Sequence, residues 1–153
     1  MVAQTNYDIY MTEGVEGGLA TSSKIVDSGS YSVETAAGID HGRVVSRGTV
    51  VTPDGERTIV LGGATPLGVS MRSVTTEGEV GTGAISYKQY DRADVLKEGY
   101  IYAVCVGGAS AGDAVTYDTS TGQLGTGQAG TLAGCTWEKT VATGELGVVR
   151  IKL

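Results

Sequence analysis

Two short runs in the closing part of the chain have the spacing of enzyme motifs. Gly108-Ala109-Ser110-Ala111-Gly112 fits G-x-S-x-G, the nucleophile elbow, which sets a serine on a sharp strand-to-helix turn with an acid and then a histidine later in the chain. Asp113 to Asp118 instead continues as strand, and the single histidine, His41, lies upstream. A serine–histidine relay in the hydrolase order is therefore impossible. Gly125-Thr126-Gly127-Gln128-Ala129-Gly130 fits G-x-G-x-x-G, whose glycines bring a helix N-terminus against a pyrophosphate. The residues that follow, TLAGCTWEK, read as strand. With no helix there is no dipole to meet a phosphate, and the run reads as a glycine loop or hairpin.

The remaining chemistry is thin. One histidine and two separated cysteines fall short of a zinc set. Asp113 and Asp118 with nearby threonines could offer oxygen ligands to calcium, but the EF-hand spacing is absent and these are ordinary turn residues. His41, between Asp40 and Gly42 at a strand entry, reads as a turn or surface residue. Nothing distinguishes Asp91 or Asp94 from solvated strand-edge carboxylates. No catalytic, cofactor or metal residue is assigned, and the chain reads as a binding or structural protein, not an enzyme.

The elements that would position such residues are strands. From Gly99 to Leu153 short Tyr/Val/Ile runs alternate with glycine turns at a period of two. Upstream, RVVSRGTVV and ERTIVLGG flank Pro53-Asp54-Gly55 as a hairpin, with proline presetting the turn. LGVSMRSV and AISYKQY add two further strands, ADVLKEGYIYAVCV is expected to fold as a hairpin about Lys97-Glu98-Gly99, and DAVTYDTSTGQLG as another about Asp118 to Gly122. Thr131 to Lys139 and Gly147 to Leu153 close the chain. The expectation is nine or ten strands in a sandwich or barrel, with closure or subunit pairing to protect the edges.

At 153 residues one domain is expected, large enough for a core without staples. Phenylalanine is absent and tyrosine supplies eight of the aromatic residues, so Val, Ile, Leu and Ala must build the interior. Cys105 and Cys135 fall in strands and read as reduced core residues. The net charge of −6 argues against nucleic acid as a partner. That charge is uneven: residues 1–40 hold Lys24 against Asp8, Glu13, Glu16, Asp27, Glu34 and Asp40, whereas the rest is nearly balanced. Residues 1–40 thus read as an acidic N-terminal arm and loop region, and 41–153 as the β body. The opening residues lack the basic and apolar regions of a signal peptide, and no apolar run approaches the roughly 20 residues of a membrane span.

The order and spacing of the turns carry a family likeness. Val26-Asp27-Ser28-Gly29, Gly42-Arg43-Val44-Val45 with Arg47-Gly48, Leu67-Gly68-Val69-Ser70-Met71-Arg72, YKQYDRADVLKEG from Tyr87 to Gly99, Ala111-Gly112-Asp113-Ala114-Val115 and Tyr117-Asp118 with Thr121-Gly122-Gln123-Leu124 follow one another. Together with Leu132 to Trp137 and Gly144 to Leu153, they resemble the structural cement, or capsid decoration, proteins of tailed bacteriophages. The absence of phenylalanine departs from that pattern.

The resemblance implies an all-β fold: a single antiparallel β-barrel or jelly-roll-like domain with an extended N-terminal arm. It implies a non-enzymatic subunit on the outer capsid surface of a virion, assembled in the bacterial cytoplasm. There it would bridge neighbouring major capsid protein subunits and pair with itself as a homodimer or other small homo-oligomer. The expected contacts are the arm, with Tyr7, Ile9, Tyr10, Glu13 and Glu16, and the hairpin ends at Pro53, Asp54, Gly55, Thr119 and Gly122. The alternative is a ligand- or glycan-binding β-module of a virion surface, using exposed tyrosines and Trp137 as a stacking platform.

Overall fold

The computed structural model describes residues 14–21, 24–51, 57–72 and 86–153. Eleven strands and no helix run through these residues: β1 (Ile25–Val33), β2 (Ile39–Asp40), β3 (Val44–Val51), β4 (Arg57–Leu61), β5 (Pro66–Ser70), β6 (Ser86–Tyr87), β7 (Arg92–Val104), β8 (Ala114–Tyr117), β9 (Leu124–Gly125), β10 (Gly130–Trp137) and β11 (Leu146–Lys152). Nine of them form one sheet in the order β1-β4-β3-β5-β7-β11-β10-β8-β9, and β2 pairs with β6 apart from it.

That sheet closes on itself through β7. Pairing of β1 with β7 completes a ring of β1, β4, β3, β5 and β7. Beyond it, β7 continues into β11, β10, β8 and β9. This second run curls back to the residue just past β7: Val106 bridges Gly125, its amide donating to the Leu124 carbonyl at 2.9 Å while Thr126 N–H donates to Val106 O at 3.1 Å. Ring closure removes the open edges that so many short strands would otherwise expose. One ladder departs from the antiparallel expectation, because β1 and β4 run parallel.

Each ring has its own core. Tyr31, Val33, Ile39, Val45, Ile59, Tyr87, Ala93 and Val95 fill the first. A larger cluster around Trp137, Tyr117, Leu124, Leu132, Ile101, Val149 and Ile151 fills the second. Successive residues of a strand point to opposite faces, so Val44 belongs to the larger core and Val45 to the smaller, and Leu96 and Val95 divide in the same way. β3 and β7 are the wall between the two.

Three segments differ from the sequence expectation, and in one of them, AISYKQY, strand covers only Ser86–Tyr87 of the described residues before a turn at Gln89 and Tyr90. Lys97-Glu98-Gly99 is not a turn: β7 is one strand of 13 residues through it. Its neighbours hold it extended, since Glu98 lies between Ile25 of β1 and Lys152 of β11, and Gly99 takes a φ of 142° that a side chain would resist. The stretch 25–33, expected to be arm or loop, is a strand, and a register shift between Asp27 and Tyr31 against β7 absorbs its Ser-Gly-Ser run. The β3–β4 and β8–β9 hairpins form as expected.

Candidate interface surfaces

Of the expected contact residues, Tyr7, Ile9, Tyr10, Glu13, Pro53, Asp54 and Gly55 lie outside the described residues. Glu16 belongs to a segment laid along β7. Gly17 N–H donates to Tyr102 O at 2.8 Å, Tyr102 N–H to Gly18 O at 2.9 Å and Ala20 N–H to Tyr100 O at 2.9 Å, while Leu19 packs on the larger core. Arg72 N–H donates to Gly17 O at 2.7 Å. Gly17 has a φ of 76°, and a Cβ there would stand 2.4 Å from that of His41. Only glycine permits so close a crossing.

This crossing covers a cluster of charge. The Glu16 carboxylate lies 3.7 Å from Arg43 Nη2, and Asp40 lies 3.9 Å from the same nitrogen. Burial pushes the Glu16 carboxyl up, Arg43 pulls it down, and Asp40 adds to the rise. Glu16 is thus a half-buried carboxyl tied to Arg43 within the fold.

His41, expected at a turn or surface, is instead only 4% exposed. It packs edge-on to Tyr87 with ring centroids 5.1 Å apart. Burial and the nearby Arg72 push its pKa below the ordinary value, against Asp40. A lone His-Gly pair carries no periodic signal, and the Glu16–Gly17 crossing that buries it is remote in sequence.

The Asp118–Gly122 turn is an internal clamp. Its Asp118 carboxylate accepts N–H donors from Ser120 at 2.7 Å and Thr121 at 2.9 Å, which hold it below the usual carboxylate range. Thr119 O accepts from Gly63 N–H and Gly122 O from Val44 N–H, both at 2.8 Å. Gly122 is buried, and a Cβ on it would meet Val44 O at 2.5 Å. The turn thus fastens β8–β9 to the first ring, and Ser120 and Thr121 are its exposed tip.

The enzyme-like runs resolve into turns. Ser110 N–H donates to the Asp113 carboxylate at 2.8 Å and Asp113 N–H to Ser110 O at 3.0 Å, after which β8 begins. The 125–130 run joins β9 directly to β10. Both cysteines are buried free thiols, raised in pKa by burial. Among the described residues no three His, Cys, Asp or Glu side chains cluster as metal ligands.

The stacking platform of the alternative reading also changes. Trp137 is fully buried, its Nε1–H donating to Gly125 O at 3.3 Å. Tyr31, Tyr87 and Tyr117 are buried as well. Among the described residues the exposed aromatic ring is Tyr90, 72% accessible, which sequence reasoning passed over as the end of a strand.

The family model described as structural cement protein (E217 gp24/Pam3 gp6) matches residues 3–152. Among solved structures, a chain from the capsid of Myoviridae phage XM1 is similar with a TM-score of 0.65 and 20% identity, over 99% of this chain and 98% of that one. At that identity the likeness shows a shared fold. None of the curated proteins matches the chain.

Proposed function

The chain belongs to the structural cement protein family, and from that membership we propose that it decorates the outer surface of a phage capsid, bridging neighbouring major capsid protein subunits to stabilise the DNA-filled head. The family match over residues 3–152 carries this reading. The fold supports it. The residues that could suggest chemistry are committed to turns and cores, and two closed rings sharing one long strand make a stiff body suited to spanning a seam.

Charge supports an outward-facing position. The negative charge is concentrated in residues 1–40, where Lys24 stands against Asp8, Glu13, Glu16, Asp27, Glu34 and Asp40, while residues 41–153 are nearly balanced. An acidic segment of this kind matches basic groups on a capsid exterior and opposes contact with packaged DNA. The subunit acts as a homodimer or other small homo-oligomer, so that each copy repeats modest contacts across a lattice and gains by avidity.

An image reconstruction of heads incubated with the purified protein tests the assignment. Density for the two-ring body across the junction of adjacent capsid subunits is expected. Heads that remain bare at saturating protein would overturn it.

A further inference from the structure

Where residues 14–20 cross the turn that leads into β3, two backbones meet without a side chain between them. Gly17 and Gly42 take φ values of 76° and 73°. A Cβ on Gly42 would meet Glu16 Cγ at 2.7 Å, and one on Gly17 would stand 3.0 Å from Gly42 N. Glycine at both positions lets the segment lie this low, and it closes over His41.

The cover is light. Leu19 is the one large side chain that the segment sets against the core, it is only partly buried, and Val15 is exposed. The main-chain hydrogen bonds to Tyr100, Tyr102 and Arg72 and the Glu16–Arg43 pair supply the rest. On the other side of the imidazole, Ile39 of β2 and Tyr87 of β6 are buried in the smaller core. The Tyr87 hydroxyl there donates to Met71 O at 2.6 Å and accepts from Asp94 N–H at 3.2 Å. Lifting residues 14–20 is therefore the easier way to bring water to His41.

His41 Nε2 is buried and has no hydrogen-bond partner among the described residues. With its proton on Nδ1, the neutral ring leaves only a lone pair unmet there. An imidazolium carries N–H on both nitrogens and would bury a donor with nothing to accept it. The ionisable groups around the ring are Asp40 beside it, Arg43 leading into β3, Arg72 after β5, Glu16 on the crossing, Tyr87 on β6 and Asp94 on β7. Burial and Arg72 oppose a charge on His41 and Asp40 favours one, with burial the largest of the three.

We propose that residues 14–20 are an acid-released strap. In mildly acidic solution His41 takes up its proton when the strap lifts, which bares the β7 edge at Tyr100 and Tyr102 while the two-ring body stays folded. An uncovered strand edge is a template for pairing, so the strap is also what keeps that edge closed near neutral pH. Opening restores His41 to its ordinary pKa of 6.5, and the closed state loses ground as pH falls through 6.5 toward the folded value. Glu16, whose carboxyl is raised above 4.5, works against release when it takes up its own proton, and Glu16→Gln removes that contribution.

Amide hydrogen exchange of the full-length protein at about pH 7.5 and about pH 5.5, corrected for the intrinsic pH dependence of exchange, tests the strap. The Gly17, Ala20, Arg72 and Tyr102 amides, all bonded across the crossing, are expected to open more often than those of Val106 and Trp137 in the second ring, and independently of low urea. Their opening constants should rise about three- to tenfold at the lower pH, about tenfold being the limit for one proton taken up below a pKa of 6.5. His41→Gln should abolish the rise and Glu16→Gln should keep it. Equal opening constants at the two pH values, or a rise that survives in His41→Gln, would overturn the proposal. A fall at the lower pH would overturn it too, because the imidazolium would then pair with Asp40 or Glu16 and tighten the strap. The same holds if the four amides open only together with Val106 and Trp137, since the segment then has no motion of its own. His41 is the single histidine, so its imidazole NMR signal can be followed in the unaltered protein, and a folded-state titration at or above 6.5 would also contradict the strap.

Discussion

The two rings share β7 yet differ in how their residues are used. The second, β7-β11-β10-β8-β9, is organised around one large buried side chain, Trp137, with Tyr117, Leu124 and Leu132 beside it. The first, β1-β4-β3-β5-β7, has a smaller core and holds features that packing alone does not explain: His41 buried against Tyr87 and the Tyr90 turn, strained at a φ of 70°. One ring is held by apolar packing, whereas the other adds a buried polar side chain and a turn whose backbone its neighbours enforce.

The strongest way to break that contrast is to empty the ring held by packing. Trp137→Ala removes its largest buried side chain and is expected to lower unfolding free energy by about 3–5 kcal/mol in urea titration. A loss under about 1 kcal/mol would mean that Trp137 does not organise this half.

The next largest effect concerns the join. Gly122→Ala places a methyl group against Val44 O at a φ of 66°, where the β8–β9 turn meets the first ring. A loss of about 1–3 kcal/mol is expected from strain and displacement of the Val44–Gly122 hydrogen bond. Because the rings are fastened there, the melt should also broaden or split. A variant as stable as wild type, with one sharp transition, would mean that this turn does not couple them.

The smallest effect reads His41 and Glu16, the titratable groups where residues 16–17 cross the entry to β3. His41 has a folded pKa below 6.5, so its neutral form contributes stability that is fully present above the unfolded value and is lost as pH falls through the folded one. Glu16, raised above 4.5, acts in the opposite sense: acidification through its folded pKa relieves the penalty of a buried carboxylate. Wild-type Tm should therefore fall between about pH 7 and the folded His41 pKa, and His41→Gln should flatten that decline. Parallel curves for the two proteins would show that His41 does not titrate on unfolding.

The division also marks how far the sequence could be read. In the second ring Val115, Tyr117, Leu132, Cys135 and Trp137 face inward, and hairpin residues such as Asp118 to Gly122 stand where a turn forms. There, local pattern and tertiary structure agree. In the first ring they conflict. Lys97-Glu98-Gly99 has the composition of a turn, yet pairing on both sides keeps it in strand, and Asp27 to Ser30 enters β1 through an irregularity that breaks the period of two.

Candidate contacts were less legible still. Gly122 and Glu16 look like surface residues but are fastened within the fold, and the φ of Tyr90 depends on partners at Ser32 and Val33, far away in the chain. No local rule on strands or turns reports an enforced conformation of that kind.

Reinforcement of a capsid is read from DNA release by otherwise identical heads with and without the protein. Heads lacking it are expected to lose DNA at a lower temperature and on milder osmotic shock, and adding back the purified wild-type protein should restore the release temperature in step with occupancy. Equal release temperatures at full occupancy and at none would contradict the account, leaving a protein that coats the capsid without strengthening it.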